Sequence, residues 1–314
     1  MTGSVKTQLK QAIPSLVIML VIVIAASLAS DNFFRIVNIR NIFTQTAVLS
    51  IAAVAQCLVL FIGGIDMSIG SVVSFSTIAI AIFSGDSINS LILSFIIALA
   101  VGALTGAVNG IGVVKFKIPA MIITISTQAL LKGICLILMP SSGGAIHKGF
   151  SAFIRAKHGI VSNIFVCAIV IYVLAYVVLH YTQFGRKIYA IGNSEQNASQ
   201  SGIEVDKMII LVYILAGTAA AVAGILLSTR ISSGNALVGD TYSMDSVTAA
   251  VIGGISMNGG VGSVPGALLG ALILTLINNT MNNLGISPYS QYIMKGTLLM
   301  LSILLFQIKR RRPA

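Results

Sequence analysis

Long apolar runs recur along the chain, separated by short polar stretches. A helix crosses a bilayer with about 20 apolar residues. On that measure ten segments are candidate spans: roughly 13–30, 46–63, 68–84, 91–114, 118–139, 161–180, 209–228, 244–258, 264–282 and 290–308. The third and eighth are short, and each adjoins a glycine-rich turn. These turns read "FIGGIDMSIGS", residues 61–71, and "VIGGISMNGGVGS", residues 251–263. Both contain Ile-Gly-Gly-Ile, then one polar residue, then Met, so one device is used twice. Short or glycine-broken apolar segments at matching places in two halves point to a substrate pathway. The pattern predicts an all-α polytopic membrane protein. It forms a single transmembrane domain over 1–314, with pseudo-symmetric halves at about 46–139 and 209–308.

Composition supports this class. Hydrophobic residues make up 56% of the 314, charged residues 9%, and mean hydropathy is +0.99. A soluble domain carries about 25% charged residues, so this chain could not cover a water-facing surface. Lys6 and Lys10 precede a run ending "AASLAS", which has the look of a signal peptide. The run is long enough to cross, however, and other spans follow at once, so an uncleaved first helix is expected. Orientation follows from Lys and Arg in short loops. With the N-terminus inside, the inner side collects Lys6, Lys10, Lys115, Lys117, Arg186, Lys187, Lys207, Lys309, Arg310, Arg311 and Arg312. The outer side holds fewer: Arg35, Arg40, Lys148, Arg155, Lys157 and Arg230. Ten spans put both termini in the cytoplasm. The net charge of +11 is then mostly topology, and nucleic acid is not needed as a partner.

Catalytic patterns are missing from the sequence. No G-x-x-x-x-G-K-[ST] phosphate loop occurs, and "GGAIHKG" has the wrong spacing. There is no nucleophile elbow, zinc-protease helix or carboxylate pair either. The expectation is a transport subunit with no cofactor or metal of its own. Cys57, Cys135 and Cys167 fall inside apolar runs and read as small hydrophobes. His147 and His158 share a loop without a third ligand at metal spacing, and His180 lies at a helix end.

A few polar residues stand out against this background. A charge at the bilayer centre costs about 2.5–3.5 kcal/mol on insertion scales. Asp66 therefore belongs at a polar turn, a cavity or a helix start. It is expected to cap the third span by accepting from N–H groups near Ser68 and Ile69, while Gly63, Gly64 and Gly70 let the backbone turn. Direct contact with a substrate or partner is the competing reading. The candidate gate turns are thus Asp66, Ser68 and Gly70 in one half and Gly254, Ser256 and Gly260 in the other. Gly102, Gly106 and Gly110 form a helix-packing face, as do Gly266 and Gly270. Lys295 and Asp245 could pair within the membrane or Lys295 could snorkel. Asn278, Asn279, Asn282 and Asn283 form two i,i+4 pairs. They suit either an uncharged polyol passing through, with Asn278 and Asn282 in the pathway, or helix-to-helix hydrogen bonds. The longest polar segment, 181–207, contains "NSEQNASQ" between Gly192 and Gly202. Asn193 or Ser194 can cap a short surface helix there, Glu195 suits its N-terminus, and Gly202 can end it with positive φ.

Three stretches resemble the permease subunit of bacterial ABC importers of the ribose, xylose, arabinose and galactoside type, a family that includes autoinducer-2 importers. They are "GGIDMSIGS", "FGRKIYAIGNSEQNASQSGIEV" and "GDTYSMDSVTAAVIGGISMNGGVGSVPGALLGALI". The second resembles the family's coupling loop, with Phe184, Gly185, Arg186, Tyr189, Ala190, Gly192, Glu195, Ser201 and Gly202 in place. Where the family usually has two alanines after the glutamate, this chain has Gln196 and Asn197. The resemblance implies a bacterial inner-membrane permease that lines a sugar pathway with a second permease copy, either a homodimer or a related heterodimer. It also implies an ABC ATPase subunit, which carries the ATP and grips the loop at Gly192, Glu195, Ser201 and Gly202. A periplasmic or lipid-anchored sugar-binding protein would dock outside, where Arg155, Lys157 and Arg230 are candidate contacts. The alternative is a self-sufficient secondary transporter with inverted repeats. Such a transporter needs intramembrane carboxylates for ion coupling, and only Asp66 and Asp245 qualify.

Overall fold

A computed structural model describes residues 2–311, so Arg312 of the basic tail lies outside the described residues. The helices run α1 (Thr2–Ala29), α2 (Ile36–Phe61), α3 (Ile69–Phe83), α4 (Ile88–Lys115), α5 (Ala120–Leu138) and α6 (Lys148–Arg155). A short hairpin, β1 (Lys157–His158) with β2 (Val161–Ser162), leads into α7 (Asn163–Tyr181). Then follow α8 (Gln183–Asn193), α9 (Glu195–Gln200), α10 (Val205–Ile231), α11 (Asp240–Ile252), α12 (Val264–Asn283) and α13 (Pro288–Arg311). Each of the ten expected apolar segments contains or overlaps a helix. Among the described residues, six helices are long and apolar enough to cross a membrane: α2, α4, α5, α7, α10 and α12.

Burial sorts these helices into a centre and a rim. In α2, 83% of the apolar window is buried, against 28% in α4, 17% in α5 and 22% in α7. The rim helices are thus apolar outward as well as inward, which suits lipid rather than water. The centre is α2, α3 and α10, packed through small residues. Gly102 and Gly106 of α4 lie so close to α10 that a Cβ would reach 2.5 Å from the Gly217 carbonyl or overlap that of Tyr213. Gly110 meets Ile210 in the same way. The spacing of four therefore forms the close-packing face expected of it. Gly266 and Gly270 do the same against Gly253 and Ala249.

The eighth segment differs from expectation. Its helix begins at Asp240 and stops at Ile252, because Gly253 and Gly254 turn the chain where 244–258 was expected to continue. Residues 232–239 before it are not helical and run alongside α3. Ser232 opens this stretch at φ 57. Gly234 exchanges two backbone hydrogen bonds with Gly143, at 3.1 and 2.8 Å. Farther on, Asn235 N–H donates to Thr77 Oγ1 at 3.1 Å and Gly239 N–H to Ser74 Oγ at 2.9 Å. These α3 hydroxyls take up N–H groups that lipid could not satisfy.

Candidate functional site

The first glycine turn closes the end of α2. Gly63, at φ +79, lets Gly64 N–H return to the Val59 carbonyl and Gly63 N–H to that of Leu60. This is the six-to-one and five-to-two closure of a Schellman motif, which needs a left-handed residue. Asp66 follows, only 1% exposed. Its Oδ1 accepts from Ser68 N–H at 2.8 Å and Ser68 Oγ at 2.6 Å. Asn109 of α4 donates to Ser68 Oγ at 2.9 Å, and Thr127 of α5 donates to Asn109 Oδ1 at 2.7 Å. With its amide oriented to satisfy both ends, Gln56 donates to the Asp66 carbonyl at 2.9 Å and accepts from its N–H at 3.2 Å. Asp66 lies two residues before Ser68, the N-cap of α3, and accepts from Ser68 rather than from the first N–H groups of the helix, so it braces the turn instead of capping the span as expected. Burial is the new fact: a polar chain across α2, α3, α4 and α5 replaces water at Oδ1, while the buried Oδ2 has no hydrogen-bond partner. Gly70 lets α3 touch α11, since a Cβ there would overlap Ser243 Oγ.

The second turn repeats the first, one residue later. Gly254, at φ +88, is the left-handed residue; Ile255 N–H returns to Ala250 and Gly254 N–H to Val251. Ser256 takes the place of Asp66, and its Oγ accepts from Asn258 N–H at 3.2 Å. This chain then continues to Ser263, which caps α12 by accepting from Gly266 N–H. On the way Gly260 N–H donates to the Phe61 carbonyl at 3.0 Å, so the two turns meet.

The polar segment 181–207 joins them at the same point. It holds two helices rather than one, and Gly192 lies inside α8 rather than at a boundary. Gly192 is there for contact: a Cβ would overlap the Phe61 carbonyl and approach Gly260 N to 2.5 Å. Beside it, Tyr189 donates to the Gly262 carbonyl at 3.0 Å and its ring packs on Phe61 with centroids 4.8 Å apart. Ser194 caps α9 by accepting from Asn197 N–H at 3.2 Å. Glu195 stands in the first turn of α9, and Gly202 ends the segment at φ +80 with open space around it. Ser201 bonds back to the Asn197 carbonyl. Lys207 beside exposed Glu204 holds that carboxyl below the usual range. Phe61, Gly192 and Gly260 therefore form one junction among α2, α8 and the second turn.

A polar cavity of 240 Å³ lies at the far side of α2 from this junction, where α12 turns into α13. Its lining includes Gln45, Arg230, Asp245, Asn278, Asn282 and Lys295. Lys295 and Asp245 are paired at 2.9 Å with both side chains largely buried, which decides against snorkelling. The asparagines divide by face. Asn279 and Asn38 exchange amide hydrogen bonds at 2.8 and 3.0 Å, tying α12 to α2, while Asn283 donates to Asn279. Asn278 and Asn282 line the cavity, and Gln291 donates to Asn282 at 2.8 Å. Arg230 joins this lining, whereas Arg155 reaches Ser232 Oγ at 2.8 Å from α6, and Lys157 lies exposed in β1. Sequence reasoning missed a second pair, Lys132 with Asp240 at 2.6 Å. Lys132 stood alone in a span and its partner lies 108 residues away.

Two close-packed turns, a surface helix pair locked to them and a polar cavity among apolar helices are the parts of a transport subunit. Residues 38–303 match the family described as branched-chain amino acid transport system / permease component. The chain belongs to this family. The permease is 38% identical over 298 residues to the ribose import permease protein RbsC of Escherichia coli (strain K12), covering 92% of each chain. It is 32% identical to the ribose import permease protein RbsC of Bacillus subtilis (strain 168), over 91% of this chain and 89% of that one. The galactose/methyl galactoside import permease protein MglC of Escherichia coli (strain K12) is 30% identical over 94% of each. No solved structure matches. The permease is a transport component rather than an enzyme, and a multi-pass inner-membrane protein.

Proposed function

We propose that this chain is the membrane-spanning subunit of a binding-protein-dependent ABC importer and forms a translocation path for a monosaccharide or a related small polyol. Ten crossings with both termini in the cytoplasm put α8 and α9 on the inner face, where a separate ATPase subunit grips them. A second permease copy completes the path, and a sugar-binding protein docks at the opposite end. The observation that carries this reading is the junction of Phe61, Gly192 and Gly260. There a surface helix pair with no lipid-facing run is locked to both glycine turns. The kinship with ribose and galactoside import permeases supports the substrate class.

The test is uptake of labelled D-ribose and D-galactose by the assembled transporter, with ATPase co-purification measured on the same samples. Gly202→Val forces a β-branched residue into positive φ at the end of α9. It is expected to cut uptake at least tenfold while the permease stays folded, because open space surrounds the site. Glu195→Ala is expected to act in the same direction. Normal uptake in both variants would overturn the coupling role of α9. Uptake that persists without the ATPase and collapses with the ion gradient would favour a secondary transporter.

A further inference from the structure

Helices α5 and α11 both pack against α3 and are joined across it by side chains. Lys132 of α5 pairs with Asp240 at the start of α11, and Gln128 donates to Ser243 Oγ at 3.2 Å. The Lys132 and Asp240 side chains are 36% and 34% exposed, whereas those of Lys295 and Asp245 are 13% and 9% exposed. The open pair lies deep. Gly239, the residue before Asp240, donates to Ser74 of α3. At the helical rise, Ser74 lies about 13 Å from the end of α3 at Phe83, and Lys132 about 9 Å from the end of α5 at Leu138. Both depths fall inside a hydrocarbon core about 30 Å thick. A charge there faces protein or water, not lipid. The surroundings say the same. Residues 232–239 are not helical, and Leu237 among them is 50% exposed. Irregular backbone at membrane depth is tolerated only against protein or a water-filled cavity. On α5, Met121, Ile125, Gln128 and Lys132 follow one another at helical spacing, and each is exposed or half-buried. One turn beyond Asp240, on the same face of α11, Met244 is 52% exposed.

We propose that this face of α5, the stretch 232–239 and the first turns of α11 form a wall of the water-filled translocation path, with the Lys132–Asp240 pair as its charge-selective element. The wall deepens the importer reading and rests on it for the existence of a path. Paired, the two side chains give the wall hydrogen-bonding groups without net charge, so ions of neither sign are drawn in. Removing one partner leaves a lone charge facing the path.

Met244→Cys places a thiol on this wall. Leu104→Cys places one on α4, opposite the packing glycines Gly102 and Gly106, where Leu104 is 64% exposed. The full-length permease, co-purified with its ATPase and held in lipid nanodiscs, is treated with a cationic trimethylammonium or an anionic sulfonate methanethiosulfonate. The unsubstituted permease, which keeps Cys57, Cys135 and Cys167, sets the background. The thiolate is the reacting form and needs water, so Met244→Cys should label at least about tenfold faster than Leu104→Cys. Adding Asp240→Asn leaves Lys132 alone and should raise the anionic-to-cationic rate ratio about threefold, while adding Lys132→Gln should lower it by a similar factor. Equal labelling at Met244→Cys and Leu104→Cys means that the face meets lipid or is packed dry against a second copy, and overturns the wall. A rate ratio that moves in neither charge variant overturns the role of the pair. Should a charge variant fail to fold, the comparison of Met244→Cys with Leu104→Cys still decides. Uptake of labelled D-ribose and D-galactose by the assembled transporter is scored separately. Uptake without labelling at Met244→Cys leaves the importer reading standing and removes this wall. Labelling without uptake keeps the water-lined face and removes the importer reading.

Discussion

The two glycine turns share a fold and differ in their surroundings. Each ends a helix with a left-handed glycine, Gly63 or Gly254, and each follows it with a side-chain oxygen that accepts from the N–H two residues on. In the first turn that oxygen belongs to Asp66, buried and wired through Ser68 and Asn109 to Thr127. In the second it belongs to Ser256, half-buried, and the chain runs on to touch α2 and α8. A local motif sets the path of the backbone; the neighbours decide whether the turn serves as an anchor or as a contact surface. The first turn is the anchor and the second is the surface.

Five substitutions at four positions break or sharpen this contrast. Gly192→Ala drives a methyl into the Phe61 carbonyl and should cost about 3 kcal/mol by overpacking. It should also separate the second turn from α2. A thermal melt in detergent and co-purification of the ATPase should both fall; an unchanged melt would mean the junction yields without strain. Next is Asp66→Ala, which orphans Ser68 N–H and breaks the polar chain, at about 2 kcal/mol. Asp66→Asn keeps the acceptor and should cost under about 1 kcal/mol with uptake retained. Loss of uptake in Asp66→Asn at an unchanged melting temperature would assign the carboxylate to ion coupling instead. Gly254→Ala meets no neighbour and carries only the positive-φ penalty of about 1 kcal/mol. A larger loss would show that the second turn is packed as tightly as the first. The smallest effect is expected for Ser256→Ala, about 0.5 kcal/mol, since its partner Asn258 is exposed to water. Equal melting shifts for Asp66→Ala and Ser256→Ala would erase the distinction between anchor and surface.

Much of this architecture was legible because lipid imposes one rule on every span. Each expected apolar run overlaps a helix, and the repeated Ile-Gly-Gly-Ile marked both turns. Glycine was harder to read. Gly192 looked like a helix boundary, yet it sits inside α8, because a missing side chain signals close contact as readily as a break. Gly185 is another such case, lying against Leu179 at the bend between α7 and α8. The short amphipathic helix α6 carries no apolar run and was not separable from loop. Polar pairing was partly visible: Lys295 with Asp245 could be proposed because both fell in spans. The chain Gln56–Asp66–Ser68–Asn109–Thr127 could not, since it draws on four helices. Nor could the two faces of the asparagine pairs be assigned until Asn38 appeared opposite Asn279.

The non-helical stretch 232–239 bears on how the protein is made. A ribosome delivers α3 long before residues 232–239, and Ser74 waits 165 residues for Gly239. Until then the groove of α3 at Gly70, Ser74 and Thr77 lacks its cover. Contacts so distant along the chain bring their reward late, after the intervening loop has been closed. The early half is therefore inserted unfinished, and a nascent chain halted before residue 232 exposes polar groups in a membrane with no water to meet them. The cover of α3 is thus supplied by the second half of the chain.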